Sequence, residues 1–336
     1  MTRLAALASL LAPLALLAQG AKSDGPPPKP AARFLLEWGT HGDKPGQFNF
    51  PIGVMVTPAG EVLVSDFYNA RVQRFSSDGK LLASFATLPN PGGIALDADG
   101  NVYLTHFSAM KTKEEKKPDR VSVYAPDGKR LREWGKTGIG DGEFDYPGGI
   151  AVSARERVYV ADQTNRRVQV FDRTGKFLAK WGEYGVKEGQ FGGNVSPKSR
   201  VGGPQFVALD RDGNVYTTEG SVGRVQKFTA DGKFLLAWGN NDDKPGSFGG
   251  RYDGRPAGLQ GPVGICLDGK GRVWVTSVGG RVQQFTPDGK FLGRFGAPGE
   301  KAGQFVAPHG VAVDGKGHLY VVDSFNHRVQ KFALGD

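Results

Sequence analysis

Pro308–Phe332 reads PHGVAVDGKGHLYVVDSFNHRVQKF, and how that stretch is read decides the fold. Three runs in it alternate apolar and polar residues with a period of two, the signature of half-buried β-strands. A Gly-containing turn follows the first run, and an Asp-x-x-Asn-x-Arg turn, Asp323–Arg328, precedes the third. The stretch is not unique. Its third-strand Arg328 has counterparts at Arg71, Arg120, Arg167, Arg224 and Arg281, with successive spacings of 49, 47, 57, 57 and 47 residues. A period of this size marks a repeat architecture with one supersecondary unit per copy.

Each copy opens with Pro and a short run: Pro51-Ile52-Gly53-Val54, Pro91-Gly92-Gly93-Ile94, Pro147-Gly148-Gly149-Ile150, Pro204-Gln205-Phe206-Val207, Pro262-Val263-Gly264-Ile265 and Pro308-His309-Gly310-Val311. A turn such as Asp97-Ala98-Asp99-Gly100 follows, where Gly takes positive φ and Asp bonds its own backbone. Next come a second strand such as Val158-Tyr159-Val160, a third reading Arg-Val-Gln-x-Phe or a close variant, and a fourth ending in an aromatic, as at Trp134-Gly135 and Trp181-Gly182. Four short antiparallel strands make a blade, and blades at this spacing close radially into a propeller. The last copy lacks its fourth strand. Phe34-Leu35-Leu36-Glu37-Trp38-Gly39 supplies it, matching Phe234–Gly239 at all but one position.

The expectation is therefore an all-β, six-bladed β-propeller over 33–334, with the N-terminal strand 33–39 closing the last blade and removing its open edge. The blades are expected at 51–85, 91–135, 147–182, 203–239, 261–296 and 308–333. Nine residues after Gly39, Gly135, Gly182, Gly239 and Gly296 stand Phe48, Phe144, Phe191, Phe248 and Phe305, read as packing wedges between neighbouring sheets.

Upstream, Arg3 and the apolar run Leu4–Ala18 read as a secretory signal over 1–20, too short for a membrane span. Residues 21–32, with Pro26, Pro27, Pro28 and Pro30, read as a stiff spacer. The expected location is secreted or periplasmic, with no transmembrane segment in the mature chain. Cys266 is the sole cysteine, so no internal disulfide forms; at an apolar strand position it reads as a buried, inert thiol. The formal charge of +9 favours anionic partners, or is a solvated face.

The runs Asp162–Phe171 and Asp323–Phe332, with linkers of the Gly-Gln-Phe-x-x-Pro type, resemble NHL repeats across residues 33–334. That resemblance implies the six-bladed propeller and a kinship in fold with peptidylglycine amidating lyase and with NHL sensor domains outside bacterial cells. In the lyase, three His following the inner-strand Pro hold zinc. The matching positions here are Ile52, Gly92, Gly148, Gln205, Val263 and His309, so the tri-His site is absent. Calcium-dependent lactonases of the same blade number use carboxylates about the channel, which here would fall to Asp66, Asp162, Glu219 and Asp323.

Turns joining first to second and third to fourth strands are uniformly tight. Every irregularity falls on the opposite face: Phe107–Asp119, Gly192–Gly203 and Gly249–Gly261. The last two flank blade 4 and carry Lys198, Arg200, Arg251, Tyr252 and Arg255, while Gln205 and Phe206 break the inner-strand pattern. His106 and Glu219 depart from the Asp that is commonest at the second-strand end, and His309 alone of its sister positions bears a titratable ring. These ten residues are the candidate ligand-binding set, and no catalytic residue is assigned. The reading is a secreted, non-catalytic binding or scaffolding module for a protein, peptide or anionic glycan on the long-loop face. The alternative is a metal-dependent lyase or hydrolase with zinc or calcium at the channel, with His106 joining His309 as ligands. RNA binding, by likeness to the basic face of some TRIM–NHL proteins, is disfavoured by the signal.

Overall fold

In a computed structural model, residues 32–335 are described apart from 108–118, 194, 197–198, 200–201, 243 and 250–260. Six four-stranded antiparallel sheets form the six blades of a propeller, each with its strands in chain order from the inside outwards. Blade 1 runs from Pro51–Val56 through Val62–Asp66 and Arg71–Phe75 to Leu81–Ala86. Blade 6 is the exception: Pro308–Val313, His318–Asp323 and Arg328–Leu334 are completed by Ala32–Trp38. In that closing pair Phe34 stands opposite Phe332 and Trp38 opposite Val329, and Glu37 meets Arg328 at 3.0 Å. The sole helical element among the described residues is a 3-10 turn, Ser324–Asn326, and no helix there is long and apolar enough to cross a membrane.

The core lies between blades. One buried cluster joins Val54, Val62, Val64 and Phe75 of blade 1 to Ala312, Tyr320, Val322 and Val329 of blade 6, with Phe48 between them. All five linker phenylalanines are at most 1 % exposed. Each ring lies on the glycine nine residues before it; a Cβ on Gly39 would stand 2.5 Å from Phe48. That contact, with a φ of 99°, explains why Trp-Gly ends the outer strand.

The Arg-Val-Gln unit holds these linkers in place. Arg167 pairs with Asp162 at 2.8 Å and donates to the carbonyls of Ile139, Gly140 and Glu143, and Gln169 donates to the Glu143 carbonyl at 2.7 Å. Asp162 in turn accepts from Asn165 and from the Asp145 N–H at 2.9 Å. Arg71 and Arg328 repeat the arrangement with Asp66 and Asp323. Burial lifts the Asp162 carboxyl to about 6 against the pull of these donors, which leaves it a carboxylate at neutral pH.

Around the axis a second device ties blade to blade. Second-strand hydroxyls accept from their own inner strand and donate to the next blade. Ser65 accepts from Gly53 N–H at 2.8 Å and donates to Gly92 O at 2.6 Å, and Thr276 accepts from Gly264 N–H at 2.8 Å and donates to His309 O at 2.7 Å. Thr105 and Thr218 do the same toward Gly148 and Val263. In blades 3 and 6, Ala161 and Val322 hold the position; at blade 3, Gly149 N–H bonds Gln205 O directly at 2.7 Å. The inner-strand glycines permit this approach, since a Cβ on Gly264 would meet His309 O at 2.0 Å.

Candidate functional site: an aromatic cup at the channel mouth

Blade 4 alone lacks the inner glycine. Its short inner strand is Val207–Leu209, and Phe206 occupies the position of Gly53, Gly93, Gly149, Gly264 and Gly310. With no room in the wall, its ring goes to the channel, where it packs on Val263, Val278 and Ala307. Phe206 lines both a lower channel of about 220 Å³, walled by residues such as Val54, Ala95, Ile150 and Val311, and an upper cavity of about 290 Å³. The upper cavity is thus a cup with Phe206 at its base.

Its walls come from two positions of the repeat. The residue before the inner-strand Pro gives Phe50 and Tyr146; the second-to-third turn gives Phe67, Tyr68, Phe107, Gln163 and Phe325. The rings form a continuous arc: Phe325 to Phe50 at 5.1 Å, Phe50 to Phe67 at 6.2 Å, Phe67 to Phe107 at 4.9 Å and Phe107 to Tyr146 at 4.4 Å. Tyr68 and Phe325 stand at the rim, 52 % and 38 % exposed. Phe50 and Tyr146 are held at φ 61° and 62°. A bulky side chain in the left-handed region costs about 1–2 kcal/mol; of the sister positions, Asn90 and Ala307 share that region at φ 58° and 51° with smaller side chains, Gly261 takes it at 89°, and Gly203 is not in it. The fold does not need an aromatic there. Phe50 is further fixed by its N–H, which His327 Nδ1 accepts at 3.1 Å.

Three polar side chains complete the lining: Gln163, Gln205 and His309. His309 is 8 % exposed; its Nδ1–H donates to Ala307 O at 2.9 Å, and Phe50 meets its ring edge at 5.6 Å. Burial pushes its pKa down to about 4, so it is neutral at physiological pH. Gln205 is 5 % exposed, and its Oε1, itself enclosed, has no partner among the described residues.

The family model for NHL repeats matches residues 48–75, 144–171 and 305–332. The chain is a six-bladed propeller that carries NHL repeats. Human E3 ubiquitin-protein ligase TRIM32 is 25 % identical to this NHL propeller over an alignment covering 89 % of this chain and 44 % of the relative. The chain therefore spans less than half the length of that relative. Among solved structures, a structural-genomics protein of Bacteroides thetaiotaomicron matches with TM-score 0.65 at 18 % identity, covering 91 % of this chain and 76 % of that one. Virginiamycin B lyase of Staphylococcus aureus, in a catalytically inactive form with quinupristin, matches with TM-score 0.55 at 18 % identity, covering 88 % and 98 %. At such identity the likeness is one of fold.

Of the residues singled out in the sequence of the NHL propeller, Gln205, Phe206 and His309 meet in the cup. Lys198, Arg200, Arg251, Tyr252 and Arg255 lie outside the described residues. Glu219 does not depart from the repeat: fully buried, it binds Arg224 at 2.7 Å and accepts from the Gly192 N–H, the Asp role one methylene longer. His106 is also structural. Its Nδ1–H donates to Pro89 O at 2.9 Å and its Nε2 accepts from Ser122 at 2.6 Å, so neither nitrogen is left to join His309 on a metal. The carboxylates of Asp66, Asp162, Glu219 and Asp323 are likewise tied to their arginines. No group of three or more His, Cys, Asp or Glu side chains placed to hold a metal occurs among the described residues. Apart from Phe206, the cup aromatics were not singled out, although Phe50 and Tyr146 stand in the sequence where sister copies have Asn90, Gly203, Gly261 and Ala307.

Proposed function

We propose that this NHL propeller is a non-catalytic binding module whose partner is a protein or peptide that inserts an apolar side chain into the channel-mouth cup. The observation that carries this reading is the pair of aromatics, Phe50 and Tyr146, kept in a costly backbone conformation to wall a cavity of about 290 Å³. Concave, mostly apolar sites with a few placed polar groups are the usual form of a binding pocket. Similarity to a ubiquitin-protein ligase, a protein that acts on proteins, favours a polypeptide partner. With the N-terminal signal read from the sequence, that partner is extracytoplasmic. Anionic glycans would instead use the basic loops outside the described residues. The metal-dependent alternative finds no ligand set among the described residues.

The test is selection from a displayed random peptide library with the full chain. Wild type should enrich aromatic-bearing peptides, and Phe107→Ser, confirmed folded by circular dichroism, should lose that enrichment. Enrichment unaffected by Phe107→Ser would place the partner elsewhere.

A further inference from the structure

Building on the reading of the cup as a side-chain pocket, we infer that the group it takes is a neutral aromatic hydrogen-bond donor, an indole or phenol side chain, whose N–H or O–H is received by His309 Nε2. His309 stands where other blades carry Ile52, Gly92, Gly148, Gln205 and Val263, so the fold does not require an imidazole there.

His309 is the acceptor. Its Nδ1–H is committed to Ala307 O, which fixes the tautomer and leaves a lone pair on Nε2, for which no partner occurs among the described residues. The arc from Phe325 to Tyr146 supplies ring faces and edges for a flat body. Among the described residues no Asp, Glu, Lys or Arg lines the cavity, so a charged ligand would lose its hydration without a counter-charge from them. A neutral donor on an aromatic frame satisfies the His309 acceptor and avoids that loss.

Indole and benzofuran test the inference, being alike in shape and differing in the N–H. Titrated into the full chain and followed by heat or by tryptophan-independent NMR shifts, indole should bind about tenfold more tightly than benzofuran, the discrimination one well-placed hydrogen bond gives. His309→Phe should reduce that ratio toward one. Equal affinities in the wild type would overturn donor recognition while leaving the cup an aromatic pocket. Tighter binding of phenethylammonium than of indole would overturn the neutrality of the ligand. Binding of none of the three by folded protein would remove the pocket reading itself.

Discussion

Thr276→Val isolates what ties one blade to the next. The substitution keeps the shape of the side chain and opens no cavity, but it removes an oxygen that accepts from Gly264 N–H at 2.8 Å and donates to His309 O at 2.7 Å. All three groups are buried within the wall of the channel, where water does not replace the lost partner. A buried donor or acceptor left unsatisfied costs about 1–3 kcal/mol, so two stranded backbone groups predict a loss of about 2–6 kcal/mol. The assay is equilibrium urea unfolding with fluorescence and circular dichroism followed together. The midpoint should fall with no change of slope, because the surface exposed on unfolding is the same. Ala161→Ser is the control: blade 3 already bonds Gly149 N–H to Gln205 O, and the change should stay within about 1 kcal/mol. A Thr276→Val protein within about 0.5 kcal/mol of wild type would refute the argument and leave apolar packing as the tie between blades.

Arg167→Met removes the charge partner of the fully buried Asp162 carboxylate and one donor from each of three linker carbonyls, predicting a loss of about 3–5 kcal/mol in the same unfolding assay. His106 and His309 are both held by burial to a pKa of about 4. The unfolded chain takes up protons below its ordinary histidine value of about 6.5, so each neutral ring contributes stability above that pH and loses it as pH falls through 4, about 2 kcal/mol between pH 7 and 5. The buried carboxyls of Asp66, Asp162, Glu219 and Asp323 are raised and act in the opposite sense, so the measurement is the difference in pH slope between wild type and His106→Gln. Phe206→Gly should join the two cavities and weaken aromatic-peptide binding at least fivefold, read by titration; it should also lower stability by about 1–3 kcal/mol, since Phe206 packs on Val263, Val278 and Ala307.

The propeller was legible because its instructions are repeated. Period-two runs, the Trp-Gly stop and the Phe nine residues later each recur, and the likeness of Phe34–Gly39 to Phe234–Gly239 gave away the closing strand. Single residues were harder to read. Glu219 looked like a departure from Asp, yet one extra methylene lets it reach the same arginine and the same linker N–H; only geometry shows that the role is conserved within the ring. His106 looked chemical and proved to be a buried link between Pro89 and Ser122. The wall of the cup escaped because its aromatics sit at different offsets in different copies, Phe50 and Tyr146 before a Pro, Phe67 and Phe107 after a strand. Their convergence is a product of ring closure. The channel-facing ring of Phe206 follows from one absent glycine, a signal that was present in the sequence and needed the neighbouring carbonyls to interpret.

The closing strand has a consequence in time. Glu37 and Arg328, which meet across it, lie 291 positions apart. During synthesis Ala32–Trp38 emerges first and waits for Arg328–Leu334, its edge unpaired until nearly all of the ring is built. Chain entropy barely opposes the final join, since each doubling of the loop adds only about 0.6 kcal/mol, but contacts this remote are slow to find. Until the join is made, blade 6 is a three-stranded sheet with an open side, able to accept an equivalent strand from another molecule. The seam that makes the finished ring durable is therefore also the place where two chains synthesised side by side would exchange strands.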